Sequence, residues 1–112
     1  MFSLGSSNRY YLYCGPCDMR KGFNGLSGLV CNELQREPTS GDVFIFLNRT
    51  RTHLKLLHWE PGGFVLYYKR LEKGSFTPPV YDYTGAVSWA DLVLMIEGIQ
   101  VEKRTQKLRY TG

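Results

Sequence analysis

Three strand-length runs separated by two tight turns constrain this chain more than any other feature. The runs are Val43–Leu47, Leu54–Trp59 and Phe64–Tyr68. They are short and rich in residues that suit a pleated, half-buried surface. The turns between them, Asn48–Thr52 and Glu60–Gly63, are short enough for hairpins. Together they predict an antiparallel meander. The first run, Val43-Phe44-Ile45-Phe46-Leu47, contains no polar residue. A strand that is apolar on both faces is central in its sheet or covered twice.

The flanking segments supply helices to cover it. Arg9–Tyr13 reads as a short strand, and Cys14-Gly15-Pro16-Cys17 breaks it. Asp18 is placed to cap a helix running to about Glu37. Met19, Phe23, Leu26, Leu29, Val30 and Leu34 recur at steps that trace one helical face. Gly22, Gly25 and Gly28 weaken that helix, and their spacing points to close packing against a neighbour. Beyond the meander, Lys69–Gly74 is a basic turn, and Phe76, Pro78 and Pro79 make an irregular extended segment. Tyr81 and Tyr83 are placed for an edge strand. Ser88, with Asp91 following, reads as the cap of a second helix ending near Glu97, with Gly98 as its stop. Ile99-Gln100-Val101 suits a last short strand. The expected fold is α+β: an antiparallel β-meander of three to five strands packed against one long and one short helix.

A chain of 112 residues is one ordinary domain, and 43% hydrophobic with 21% charged residues is a globular balance. The formal charge of +4 is unevenly placed. From Met1 to Glu102 the basic and acidic residues balance, so the whole excess is Lys103, Arg104, Lys107 and Arg109. We therefore expect a single domain over 1–102 and a flexible basic tail over 103–112. A basic protein of this kind suits a polyanionic partner. No run approaches the roughly 18 apolar residues that span a bilayer, so no membrane partner is expected. No secretory signal is recognisable, and the odd set Cys14, Cys17 and Cys31 fits a reduced, cytoplasmic home.

Chemistry-bearing motifs are sparse. Cys14-Gly15-Pro16-Cys17 has the spacing of a thioredoxin motif between a strand and a helix, where a helix N-terminus would lower a thiol pKa. A thiol oxidoreductase using Cys14 and Cys17 is therefore one alternative. It needs a thioredoxin-like sheet, whereas the elements that follow read as hairpins rather than a parallel crossover. For a zinc site the same cysteines lack a second pair, and His53 and His58 lie five apart, on opposite faces of a strand. Asp18, Asp42 and Asp91 are explained as helix cap, strand start and capping position. No phosphate-binding Gly-Lys loop is present. We expect no catalytic machinery, no metal and no cofactor.

The basic residues form the more coherent set. Arg20 and Lys21 lie in the first turn of the expected first helix, Arg49, Arg51 and Lys55 belong to the first hairpin, and Lys69 and Arg70 follow the third strand. These are the candidate nucleic-acid-binding residues, because guanidinium and ammonium groups bind phosphates. Trp59, Tyr67 and Tyr68 lie near them in sequence and could stack on unpaired bases.

Several segments read together resemble one family. They are Asp18-Met19-Arg20-Lys21-Gly22-Phe23, Ser40–Phe46, Lys55-Leu56-Leu57-His58-Trp59, Gly63–Gly74 and Leu94–Ile99. This is similar to the TnpB-type accessory protein of insertion sequences of the IS sixty-six group, which is distinct from the RNA-guided nuclease sharing that name. The resemblance runs from about Arg9 to Val101. The family pattern falls on Asp18, Met19, Arg20, Lys21, Gly25, Arg49, Lys55, Trp59, Tyr68, Lys69, Arg70, Leu71 and Glu72, none with a catalytic role to transfer. Thr77-Pro78-Pro79 and the Cys-x-x-Cys depart from it. The resemblance implies a bacterial, non-enzymatic accessory protein of DNA transposition. Its partners would be DNA, the transposase and the other accessory protein of the element. The alternative is a protein–protein adaptor with no nucleic-acid contact, docking through its apolar strands and Pro78-Pro79.

Overall fold

The computed structural model describes residues 4–97. Gly98, the strand expected at Ile99–Val101 and the tail expected over 103–112 lie outside the described residues. In chain order the elements are β1 (Tyr10–Leu12), α1 (Phe23–Asn32), β2 (Val43–Leu47), β3 (His53–Glu60), β4 (Gly63–Arg70), β5 (Ala86–Val87) and α2 (Trp89–Glu97). The five strands make one sheet in the order β4-β3-β2-β1-β5. Among the described residues no helix is long and apolar enough to cross a membrane.

The meander is as its apolar pattern requires. β2 runs antiparallel to β3, with Val43 facing His58, and β3 runs antiparallel to β4, with His53 facing Arg70. β2 is the middle strand, and every one of its residues is buried. Phe44 and Phe46 point to one side, where Leu26 and Val30 of α1 cover them with Tyr11 and Leu57. Val43, Ile45 and Leu47 point to the other, where Leu92, Met95 and Ile96 of α2 cover them with Leu54 and Leu56. Each fully buried side chain of this size contributes about 1.5–3 kcal/mol relative to exposure.

The structure changes several expectations. β1 pairs with β2 in parallel, Tyr10 opposite Val43, so β1–α1–β2 is a helical crossover, and hairpins begin only after β2. The stretch between Leu12 and Val43 is long enough for the return that a parallel pair needs. The helices are not one long and one short: α1 has 10 residues and α2 has 9. The edge strand is Ala86–Val87 rather than Tyr81 and Tyr83, which lie in the exposed loop before it. There Asp82 accepts the N–H groups of Thr84 and Ala86, and Gly85 turns with φ +86 so that its carbonyl receives the Leu12 N–H at 2.8 Å.

The late start of α1 has a physical cause. Asp18 does not cap the helix; its carboxylate accepts the N–H of Arg20 at 2.9 Å and closes a local turn. The carbonyls of Met19 and Lys21, which a longer helix would spend on the next turn, instead receive the Lys55 Nζ, each at 2.8 Å. Helical bonding starts with Leu26 N–H to Gly22 C=O. At the far end Gln35 adopts φ 54, ending the helix well before Glu37. The glycines do not mark close packing. A Cβ at Gly22 or Gly28 would meet nothing within 4 Å, and at Gly25 only the Lys21 side chain. At α2 the expected cap holds: the Asp91 N–H donates to Ser88 Oγ at 3.1 Å.

Lys55 is therefore a buried tie between β3 and the loop before α1, at 5% exposure. Lys55→Ala strands two carbonyls without their charged donor. We expect it to lower stability by about 2–4 kcal/mol, read as a fall in the urea midpoint. Lys73→Ala, on the surface, should stay within about 0.5 kcal/mol of wild type.

Candidate functional site

The Asn48–Thr52 turn is held by its own polar side chains. Asn48 Oδ1 accepts the N–H groups of Thr52 and His53 at 2.9 and 3.0 Å, mimicking a backbone turn. Asn48 Nδ2 lies 3.1 Å from Thr52 Oγ1. Arg51 takes a left-handed conformation, φ 58, that is uncommon for a residue with a Cβ. Two hydrogen bonds sustain it: its N–H donates to Asn48 C=O, and its C=O accepts the Phe76 N–H at 2.6 Å. The turn is thus fastened to the segment that leads into Pro78 and Pro79.

β1 and β2 end side by side at Leu12 and Leu47, beside this turn. A second loop, Cys14-Gly15-Pro16-Cys17, is tied to the same place by the Cys17 N–H, which donates to Leu47 C=O at 2.9 Å. Between these loops and the proline segment lies an open cleft of about 350 Å3. Leu12 and Leu47 are its buried residues, Tyr13, Cys14 and Pro16 come from one loop, Arg49 and Arg51 from the turn, and Pro78 and Tyr81 from the irregular segment. A cleft beyond the carboxyl ends of parallel strands is a common ligand position in α/β sheets.

The basic residues expected to bind nucleic acid separate into three groups. Arg49 and Arg51 line the cleft, are exposed, and have no carboxylate partner among the described residues. Arg20, Lys21 and Arg70 are exposed elsewhere on the surface, Arg20 paired with Asp18 at 2.7 Å and Arg70 with Glu72 at 3.0 Å. Lys55 and Lys69 serve the fold. The Lys55 ammonium is spent on two carbonyls, and Lys69 Nζ donates to Ile96 C=O at 2.7 Å, at the negative end of α2. Of the aromatics, Trp59 packs edge-on against Phe64, Tyr67 packs on the core, and Tyr68 is half exposed with Lys55 over its ring at 4.6 Å.

Cys14 and Cys17 are free thiols in different surroundings. Cys14 is exposed at the cleft, whereas Cys17 is buried and its thiol is pushed up by that burial. The helix begins at Phe23, not directly after Cys17 as the motif's spacing predicts. Tyr13, Pro16 and Tyr81 line the cleft with no site role assigned from the sequence, and Pro78 is expected only in the adaptor's docking segment. They come from segments far apart in the chain, and no local pattern joins them.

Comparison with known proteins agrees with the resemblance. Residues 8–106 match the family described as IS66 Orf2 like protein. The chain is 36% identical over 85 residues to the uncharacterized protein y4jC of Sinorhizobium fredii, covering 75% of this chain and 73% of that protein. It is 33% identical over 100 residues to the uncharacterized protein y4hO of the same organism, covering 88% and 87%. No solved structure matches the chain.

The Asp18–Arg20 turn makes a pH prediction. The Arg20 guanidinium and N–H hold the Asp18 carboxyl down at about 2, below its ordinary 3.8. A depressed folded pKa stabilises the turn fully above the unfolded value, and that contribution is lost as pH falls through about 2. An NMR titration of the Asp18 carboxyl should show a midpoint near 2. Arg20→Ala should return it toward the ordinary value.

Proposed function

The chain belongs to the IS66 Orf2-like family, and from that membership we propose that it is a non-catalytic accessory protein of DNA transposition that binds DNA through the Arg49–Arg51 turn. The observation that carries this reading is the pair of exposed guanidiniums with no carboxylate partner among the described residues, on a turn locked by Asn48 and by Phe76. Unpaired guanidiniums bind phosphate through paired N–H donors, and no ion pair has to be broken first. Arg20, Lys21 and Arg70 can extend the contact. The ion pairs of Arg20 and Arg70 are exposed and easily exchanged for a phosphate. The set proposed for DNA is therefore Arg20, Lys21, Arg49, Arg51 and Arg70, without Lys55 and Lys69. The transposase and the other accessory protein of the element are the proposed protein partners.

A second reading, the adaptor, draws on a different surface. β2 is covered on both faces and offers no interface. Val80 and Tyr83, however, are 75% and 98% exposed in the proline-led loop. Apolar side chains so presented suit a protein partner.

Binding to a labelled duplex should weaken steeply with salt. Arg49→Glu with Arg51→Glu should reduce affinity at least tenfold and flatten the log–log salt slope by about two, one unit for each phosphate no longer neutralised. Unchanged affinity would remove both residues from the interface. The adaptor reading expects co-purification with the transposase that survives high salt and is lost on Val80→Ser with Tyr83→Ser.

A further inference from the structure

We infer that the cleft at the ends of β1 and β2 takes one unpaired nucleotide, so that the protein distinguishes a DNA end carrying a single-stranded overhang from a blunt duplex. This rests on the DNA-binding reading and adds a ligand to the same turn. The size is the first argument. At about 350 Å3 the cleft is at the small end of ligand pockets, right for one nucleotide and far too narrow for a duplex.

The lining chemistry is the second argument. Leu12, Leu47, Pro16 and Pro78 line it with apolar surface, and Tyr13 and Tyr81 are the aromatic residues at its wall. Tyr13 is fixed by packing on Phe46 at 5.6 Å between ring centroids, whereas Tyr81 remains 48% exposed and makes no ring contact among the described residues. Arg49 and Arg51 bring positive charge to this same cleft. A nucleotide has the matching asymmetry: flat apolar faces at one end and an anionic phosphate at the other. A free phosphate would leave the apolar interior unfilled, and an uncharged apolar ligand would leave two guanidiniums unused.

The third argument concerns selectivity. The amide best placed to read a base edge, Asn48, is spent inside its own turn. Its oxygen accepts two backbone N–H groups and its nitrogen lies against Thr52 Oγ1. Stacking without such readout is tolerant of base identity. The cleft therefore recognises that a base is unpaired rather than which base it is. An unpaired end also avoids the unstacking cost that a base within a duplex would impose.

The test uses the whole wild-type protein and two labelled duplexes of one sequence, blunt or with three unpaired nucleotides at one end. Fluorescence anisotropy gives the affinities. In parallel, iodoacetamide alkylation is followed at Cys14, exposed at the cleft, with Cys31, exposed on α1, as internal control. The overhang should bind roughly tenfold more tightly, the scale of one base–aromatic stack. It should slow alkylation of Cys14 and not of Cys31, and changing the overhang base should alter affinity by less than about threefold. Tyr81→Ala should erase the preference, bringing the overhang's affinity down to that of the blunt duplex measured with the same variant. Equal affinity for both duplexes with Cys14 unprotected would overturn the inference. If Arg49 and Arg51 were still required in that case, the DNA-binding reading would stand alone. Binding to neither duplex would overturn both.

Discussion

One buried cation ties the two halves of this protein together. Lys55 sits on β3 with its ammonium withdrawn from solvent, which is unfavourable unless the charge is met by acceptors. Met19 and Lys21 supply them through their carbonyls, and the Tyr68 ring lies close by. Meeting that charge keeps the segment after Cys17 out of the helix. α1 is thereby delayed to Phe23, and its apolar face comes down on Phe44 and Phe46. The other face of the sheet has a smaller version of the same device. Lys69 holds Ile96 C=O and so fixes the end of α2 over the meander.

These two lysines show why basic residues close in sequence need not share a task. Arg49, Arg51 and Lys55 all belong to one hairpin, yet the arginines are on the turn and exposed while the lysine points into the α1 side of the sheet. On a strand, a side chain's fate is set by which face it occupies and what covers that face. On the turn no partner strand competes, and Asn48 spends its own side chain to shape the backbone, leaving the guanidiniums unpaired. The positive φ of Arg51 is a strained conformation of the kind that persists only where surrounding bonds over-determine it. Here those bonds reach Phe76 and so draw the proline segment to the same cleft.

The cysteine motif illustrates a different limit. Its position between a strand and a helix is as the spacing implies, and it even lies in a parallel crossover, which the hairpin pattern downstream did not reveal. What argues against a thioredoxin-like reagent is that the helix does not follow Cys17 directly but starts at Phe23. That delay is not encoded in the spacing of the two cysteines. The motif instead acts as a loop, with Gly15 at φ 118 turning the chain and Cys17 N–H anchoring it to β2.

Local sequence pattern is enough to specify the β2-β3-β4 meander, the central place of β2 and the capped start of α2. These depend on local hydrophobic period, turn length and a serine's reach, all of which act over a few residues. Family membership was legible too, since Asp18–Phe23 and Gly63–Gly74 are long enough patterns to be specific. The parallel pairing of β1, the length of α1, the division of cations between fold and surface, and the cleft arise only from long-range packing. Each of these depends on which distant carbonyl, ring or strand end lies opposite. Lys55 meets Met19 and Lys21 more than thirty residues away in the chain, and Arg51 meets Phe76 across the meander, encounters that no local pattern specifies.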